Sequence, residues 1–275
     1  MKRLLTSLAL LLLLFTVSAK QTVKTDTISI QTANIVSPAK VCVILPQKAL
    51  CDTCTEKFPT VYLLNGYGGD YASWVKSQPE LSRLADLYGM IIVTPDGRDS
   101  WYWDSPIDPK MQMESYIIDD LVPYIDANYP TIQSPAKRAI TGLSMGGHGA
   151  LWLAFRHSDI FGNAGSMSGC VDIRPFDQKW KMKLRIGEYK DNPEVWNRHT
   201  VINLVPSLKN GQVNITFDCG VDDFFSKVNY NLHKALLSQG IDHDYAERPG
   251  VHNWKYWNNS ILYHLLFFNQ KFNGK

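Results

Sequence analysis

Strand-like and helix-like segments alternate through most of this chain, and no other feature narrows its possible folds so far. Thr27 to Gln31 and Lys40 to Leu45 read as an antiparallel opening pair, and Thr60 to Asn65 (TVYLLN) is a nearly continuous apolar strand that stops at Gly66. Leu81 to Tyr88 reads as helix and Met90 to Thr94 as a buried strand. Glu114 to Asn128 carries apolar residues at Ile117, Ile118, Leu121, Val122 and Ile125, which is helical spacing. Arg138 to Gly142 (strand), Met145 to Arg156 (helix) and Phe161 to Ser166 (strand) continue the rhythm. Asn214 to Cys219, Phe224 to Gln239, Asp244 to Arg248 and Trp254 to Asn269 repeat it as strand, helix, strand, helix. Val171 to Leu208, rich in Trp, Lys and Asp, has no clean period and reads as an inserted cap or lid. Strands alternating with helices of this length imply an α/β fold with a mainly parallel sheet covered on both faces. Ligands in such sheets bind at the carboxyl ends of the strands.

No linker, repeat or charge block divides the chain after residue 19, so residues 20 to 275 are expected to form one domain. Residues 1 to 19 differ in kind. Lys2 and Arg3 precede an apolar run from Leu8 to Phe15, and Val17-Ser18-Ala19 supplies the small residues that signal peptidase needs. The uncharged stretch from Leu4 to Ala19 is shorter than the ~20 residues of a spanning helix. This is the pattern of a secretory signal peptide, which places the mature chain in the periplasm or outside the cell, free of the membrane. Removing Lys2 and Arg3 from the 28 basic residues leaves 26 against 26 acidic ones, and zero net charge argues against nucleic acid as a partner. The cysteines, 5 in all, are odd in number for an exported protein, so at least one thiol is expected to stay free or pair outside. Cys51-Asp52-Thr53-Cys54 has zinc half-site or redox spacing, but no second Cys/His pair accompanies it. A small disulfide-closed loop is expected instead, with no metal and no cofactor.

Gly142-Leu143-Ser144-Met145-Gly146-Gly147 falls between a predicted strand and a predicted helix, the context a G-x-S-x-G nucleophile elbow requires. The turn is so sharp that the residues two before and two after the serine must lack bulk, and it lifts Ser144 above the sheet edge at a helix N-terminus. A serine hydroxyl needs an imidazole to accept its proton and an acid to fix the imidazole tautomer, here in the chain order Ser, acid, His. Of the 7 histidines, His148 and His157 belong to the elbow helix, His233 and His264 to other helices, and His199 to the insertion. His243 precedes the last strand, at its wrong end. His252, in the loop after that strand, can swing over the sheet edge and is the expected base. Asp222 and Asp223 both close the preceding strand, and either can reach His252; the other is expected to cap the following helix. Asp218 lies within the strand. The glycine-rich loop Asn65-Gly66-Tyr67-Gly68-Gly69-Asp70 allows backbone N–H groups close to a developing oxyanion, so the N–H groups of Tyr67 and Met145 are the expected oxyanion donors.

Tyr62-Leu63-Leu64-Asn65-Gly66 followed by Gly68-Gly69, the stretch Ser100-Trp101-Tyr102-Trp103-Asp104-Ser105-Pro106, the elbow with Gly147, Cys219-Gly220-x-x-Asp223-Phe224 and Gly250-x-His252-x-Trp254 together resemble the esterase D-like group of α/β-hydrolases. That group includes feruloyl and acetyl xylan esterases of carbohydrate esterase family one, S-formylglutathione hydrolases and mycolyltransferases. The resemblance runs from about Val41 to Phe268. It implies an α/β-hydrolase fold and Ser144, Asp223 and His252 as the catalytic set, its Cys-Gly-x-x-Asp motif being what selects Asp223. Asn65 stands where the group often has His or Asp, and Val251 where it has glycine. An export signal argues against the cytosolic S-formylglutathione. The resemblance therefore implies a secreted serine esterase acting on feruloyl or acetyl esters of plant polysaccharide or on small soluble esters; acyl transfer to a sugar hydroxyl and non-catalytic glycan binding are the alternatives. Trp101, Trp103 and Trp180 are the expected substrate-binding aromatics, with only one of Trp101 and Trp103 lining the cleft, because alternate residues of an extended segment face opposite sides. Tyr67 and Trp254 are further candidates for stacking, Trp254 more as a core residue.

Overall fold

The computed structural model describes residues 24–51, 53 and 55–274. The expected signal sequence and Cys54 lie outside them. Eight strands form one sheet: β1 (Lys24–Ile30), β2 (Ala39–Leu45), β3 (Thr60–Leu64), β4 (Ile91–Pro95), β5 (Arg138–Gly142), β6 (Asn163–Met167), β7 (Asn214–Gly220) and β8 (Asp244–Arg248). Their order is β1-β2-β4-β3-β5-β6-β7-β8. β1 and β2 pair antiparallel, β2 meets β4 antiparallel, and the remaining pairs are parallel. All of β3 is buried, as expected of a strand covered on both faces. Its side chains alternate: Tyr62 and Leu64 join Val93, Ile140 and Phe161 in one cluster, Val61 and Leu63 join Ile92, Ala139, Trp257 and Ile261 in the other.

Outside the insertion the main helices are α1 (Ser73–Ser77), α2 (Leu81–Tyr88), α3 (Val122–Asn128), α4 (Met145–Arg156), α5 (Ser226–Ser238) and α6 (Trp254–Phe272). The periodic stretch expected as one helix over Glu114 to Asn128 instead begins as a short turn at Met113–Ser115, widens to a π-helix over Tyr116–Leu121 and resumes as α3. Pro123 accounts for the change: it has no N–H for the carbonyl four residues back, and its ring crowds that carbonyl. The insertion from Val171 to Leu208 is built of short pieces, 3₁₀ turns at Arg174–Phe176 and Val201–Ser207 and helices Lys183–Ile186 and Pro193–Arg198. Among the described residues no helix is long and apolar enough to cross a membrane. Cys51 is disulfide-bonded, whereas Cys42, Cys170 and Cys219 are buried free thiols.

Candidate active site

β5 and α4 are joined by two residues, and the second of them, Ser144, has φ 55° and ψ −116°. A non-glycine residue is held there only if its neighbours leave no alternative. They are tightly packed. A Cβ on Gly142 would lie 2.7 Å from the Gly146 carbonyl, and one on Gly146 would lie 2.6 Å from Leu64 O. The Ser144 N–H donates to Met167 O at 2.9 Å. Leu143 and Met145 are buried on either side, and Ser144 between them reaches the surface.

His252 lies just ahead of α6, whose first turn is fixed by Asn253 accepting from the Tyr256 N–H at 3.0 Å. The end of β7 approaches this loop so closely that a Cβ on Gly220 would sit 2.3 Å from Gly250 O. That contact is the physical reason for the glycine in Cys219-Gly220, and it delivers the following carboxylate to the imidazole. His252 Nε2 lies 2.9 Å from Ser144 Oγ, and His252 Nδ1 lies 2.8 Å from Asp223 Oδ2. The Asp223 side chain is fully buried, and its other oxygen accepts from the Phe225 N–H at 2.8 Å. Asp222 is exposed. The expectation that it caps the next helix fails: α5 starts at Ser226 with no side-chain cap, and Asp223 itself serves the nearest free N–H.

The other histidines have different work. His148 is buried between the Trp103 Nε1 donor and Cys170 O, both at 2.8 Å, and burial pulls its pKa down to about 3, so it is neutral. His157 meets Glu114 at 2.6 Å, His264 meets Thr141 at 2.8 Å, His199 meets Val195 O at 2.7 Å, and His233 meets His243 at 2.8 Å.

The Gly66–Gly69 loop is pressed against the elbow: a Cβ on Gly66 would fall 2.4 Å from Leu143 Cδ1 and 3.5 Å from Ser144 Cβ. Tyr67 lines the same cleft as Ser144, Met145 follows Ser144 directly, and the N–H group of neither is engaged by another described residue. An oxyanion donor has to be unspent in this way.

Ser144 and His252 open into a cleft of about 320 Å³ whose aromatic walls are Tyr67, Trp180, Phe224, Trp254 and Trp257. Trp180 is where the sequence places it, and Trp254 serves cleft and core together, packing edge-on against Trp74 at 5.2 Å. Trp101 and Trp103 are corrections. Both are buried, 1% and 0% exposed, and stack on each other at 5.5 Å beneath the insertion. Alternation fails because the segment is not extended: Trp101 and Tyr102 have φ of 60° and 62°. Sequence reasoning missed Phe224 and Trp257, which enclose the His252 ring at 4.3 and 4.9 Å. Phe224 had one signal, an aromatic next to the acid, and it is 53% exposed.

A family described as "Putative esterase" matches residues 32–268. An acetyl esterase of Caldicellulosiruptor saccharolyticus is 28% identical over 224 residues, covering 76% of this chain and 83% of the relative. A solved ferulic acid esterase superposes with TM-score 0.76 at 27% identity, over 90% of this chain and 98% of the other. A Staphylococcus aureus fluorophosphonate-binding serine hydrolase superposes at TM-score 0.81 over the same shares of the two chains; at 19% identity it speaks to the fold alone. With the fold, the elbow and the family match in agreement, the chain belongs to this esterase family of α/β-hydrolases and is a carboxylic ester hydrolase.

Proposed function

We propose that this hydrolase is an exported serine esterase that forms an acyl-enzyme on Ser144 and takes acetyl or feruloyl esters of plant polysaccharide, or small soluble esters. One observation carries the mechanism: the unbroken relay from Ser144 Oγ through His252 to Asp223 at 2.9 and 2.8 Å. With Asp223 accepting from Nδ1–H, the Nε2 lone pair faces the serine and takes its proton as Oγ attacks the ester carbonyl. The carbonyl oxygen then gains charge beside the Tyr67 and Met145 N–H groups. His252 returns the proton to the departing alcohol, and water repeats the sequence on the acyl-serine.

Substrate choice rests on the cleft walls. Trp180, Phe224 and Trp254 offer flat apolar faces of the kind that stack on a phenolic or sugar ring. The names of the acetyl esterase and ferulic acid esterase relatives point the same way. Export rests on Lys2, Arg3 and the apolar run behind them.

Mixing the protein with p-nitrophenyl acetate and quenching with acid should leave an acetyl group on the peptide bearing Ser144. Ser144→Ala should lose that adduct and essentially all turnover, a loss on the order of 10⁶, with its melting temperature nearly unchanged. Retention of more than about 1% of the rate would overturn the assignment. A panel of methyl ferulate, p-nitrophenyl acetate, p-nitrophenyl butyrate and acetylated xylan ranks the acyl groups.

A further inference from the structure

Between Gly97 and Trp103 the backbone turns against what its side chains prefer at three positions. Arg98, Trp101 and Tyr102 have φ of 50°, 60° and 62°, though none is glycine. Such conformations persist where the surroundings over-determine them, and they gather at functional sites. Here the segment grips the loop that carries Tyr67 from both sides. Upstream, the Tyr102 hydroxyl donates to Asn65 O at 3.1 Å, and the Gly97 N–H donates to Asn65 Oδ1 at 2.9 Å. Downstream, Asp99 Oδ1 accepts from the Gly68 N–H at 3.1 Å.

We propose that Asp99 is a positioning residue for the oxyanion site. The Gly68 N–H belongs to the residue after Tyr67, and Gly68 sits at φ 74° as the second central residue of a turn closed by the Gly69 N–H donating to Gly66 O at 3.0 Å. Holding that N–H fixes the peptide plane that follows Tyr67, while the Asn65 contacts hold the chain ahead of it, so Tyr67 and its N–H are carried between two anchored ends. Asp99 also borders the Tyr67 side chain: partial burial, and then the Asp99 charge, push the phenol pKa up. A carboxylate near a developing oxyanion would oppose it unless its charge were offset. Arg185, from the insertion, supplies an opposing charge: it acts against Asp99 on the Tyr67 phenol, pairs with Asp108 at 3.6 Å, and donates from Nε to the Asp99 backbone carbonyl at 3.0 Å. Asp99 therefore ties the oxyanion loop to the insertion that bears Trp180, whose carbonyl accepts from Trp101 Nε1 at 3.4 Å. Preorganised donors act on the transition state and not on bound substrate, so the signature of Asp99 is a loss in kcat.

The proposal rests on the reading of Tyr67 N–H as an oxyanion donor to an acyl-serine, and the test separates the two. Asp99→Ala should lower kcat on p-nitrophenyl acetate roughly ten- to a hundredfold with KM within about twofold. The inhibition constant of phenylboronic acid, whose tetrahedral adduct on Ser144 places an oxygen in the same site, should rise by about the factor that kcat falls. Asp99→Asn keeps an acceptor for the Gly68 N–H and should stay within about threefold of wild type. If Asp99→Ala does not fold, Asp99→Leu, similar in volume and without an acceptor, takes its place. The proposal is overturned if the acceptor-free variant keeps more than half of kcat, if kcat falls while boronate inhibition does not weaken, or if Asp99→Asn is as damaging as Asp99→Ala. It is equally overturned if neither acceptor-free variant folds while Asp99→Asn is normal, since Asp99 then serves the fold. Ser144→Ala is run alongside: activity in that variant would defeat the underlying mechanism, whereas its inactivity with an unimpaired Asp99→Ala would defeat only the positioning role.

Discussion

Replacing Asp223 by Asn tests the site at its most sensitive point, because two fixed donors compete for one side chain. The carboxylate accepts from His252 Nδ1 at 2.8 Å through one oxygen and from the Phe225 N–H at 2.8 Å through the other. An amide has one oxygen. The backbone N–H cannot change its character, so the oxygen must stay with Phe225 or leave a buried donor facing a donor, at a cost of about 1–3 kcal/mol. The NH₂ group then faces His252 and forces Nδ1 to accept, which moves the ring proton to Nε2, where it points at Ser144 and cannot take the serine proton. In a comparable triad the wrong tautomer costs roughly 10⁴ in kcat, or about 5.4 kcal/mol. The fold loses little, since each buried donor keeps an acceptor, so melting should shift by the equivalent of about 1 kcal/mol or less. Initial rates on p-nitrophenyl acetate near neutral pH, read beside a thermal melt, separate the two effects. Asp222→Asn is the control: its side chain is exposed and makes no cap, so activity should stay within about twofold of wild type. An Asp223→Asn enzyme with more than about 1% of wild-type kcat, or an Asp222→Asn enzyme that is the more impaired, would refute the argument.

Trp180→Ala removes a wall of the cleft, and stacking of this kind is worth roughly 0.5–1.5 kcal/mol, so kcat/KM on methyl ferulate should fall roughly two- to twelvefold, with a smaller effect on p-nitrophenyl acetate. Equal losses on the two substrates would show that Trp180 supports the insertion and does not contact substrate. Away from the cleft, burial opposes ionisation of Asp218, but the approach of His264 at 3.3 Å, the hydrogen bond from Ser260 and the charge of Arg248 outweigh it and hold the carboxyl below its usual range. A depressed acid stabilises the fold above its unfolded pKa of about 3.9, and that stabilisation is lost as pH falls through the folded value. Asp218→Asn should therefore melt below wild type at neutral pH, with the gap closing only below about pH 4; a gap independent of pH would refute the charge argument.

How legible the architecture was follows from how each element is bounded. Arg138–Gly142, Met145–Arg156 and Asp244–Arg248 coincide with their sequence readings because Gly, Pro or a change of period stands at each end. β1 begins at Lys24, ahead of the apolar signal at Thr27, because an edge strand needs no apolar residues to pair: Lys24, Thr25 and Asp26 lie opposite Leu45, Ile44 and Val43. α1 shows no period because its span, 5 residues, is barely more than one turn. The π-helix over Tyr116–Leu121 keeps enough helical spacing to pass for the ordinary kind.

The triad was legible for a different reason: its chemistry dictates backbone shape, and shape dictates glycine. Gly142, Gly146 and Gly220 each stand where a Cβ would meet backbone within 2.7 Å, so the positions of Ser144, Asp223 and His252 are written in residues that cannot vary freely. The Gly97–Trp103 segment has the opposite character. Its positive φ angles fall on Arg98, Trp101 and Tyr102, where no glycine marks them, and a segment that looks extended turns its tryptophans inward. The sequence nonetheless held a trace of the arrangement. Gly149 lies within α4, where glycine costs roughly 1 kcal/mol relative to alanine and no turn needs it. A Cβ there would come within 2.3 Å of the Tyr102 ring, and one on Gly97 within 2.1 Å of the Tyr102 hydroxyl. A glycine without a local reason inside a buried helix thus marks the seat of a large ring from elsewhere, here the ring whose hydroxyl reaches Asn65 and braces the oxyanion loop.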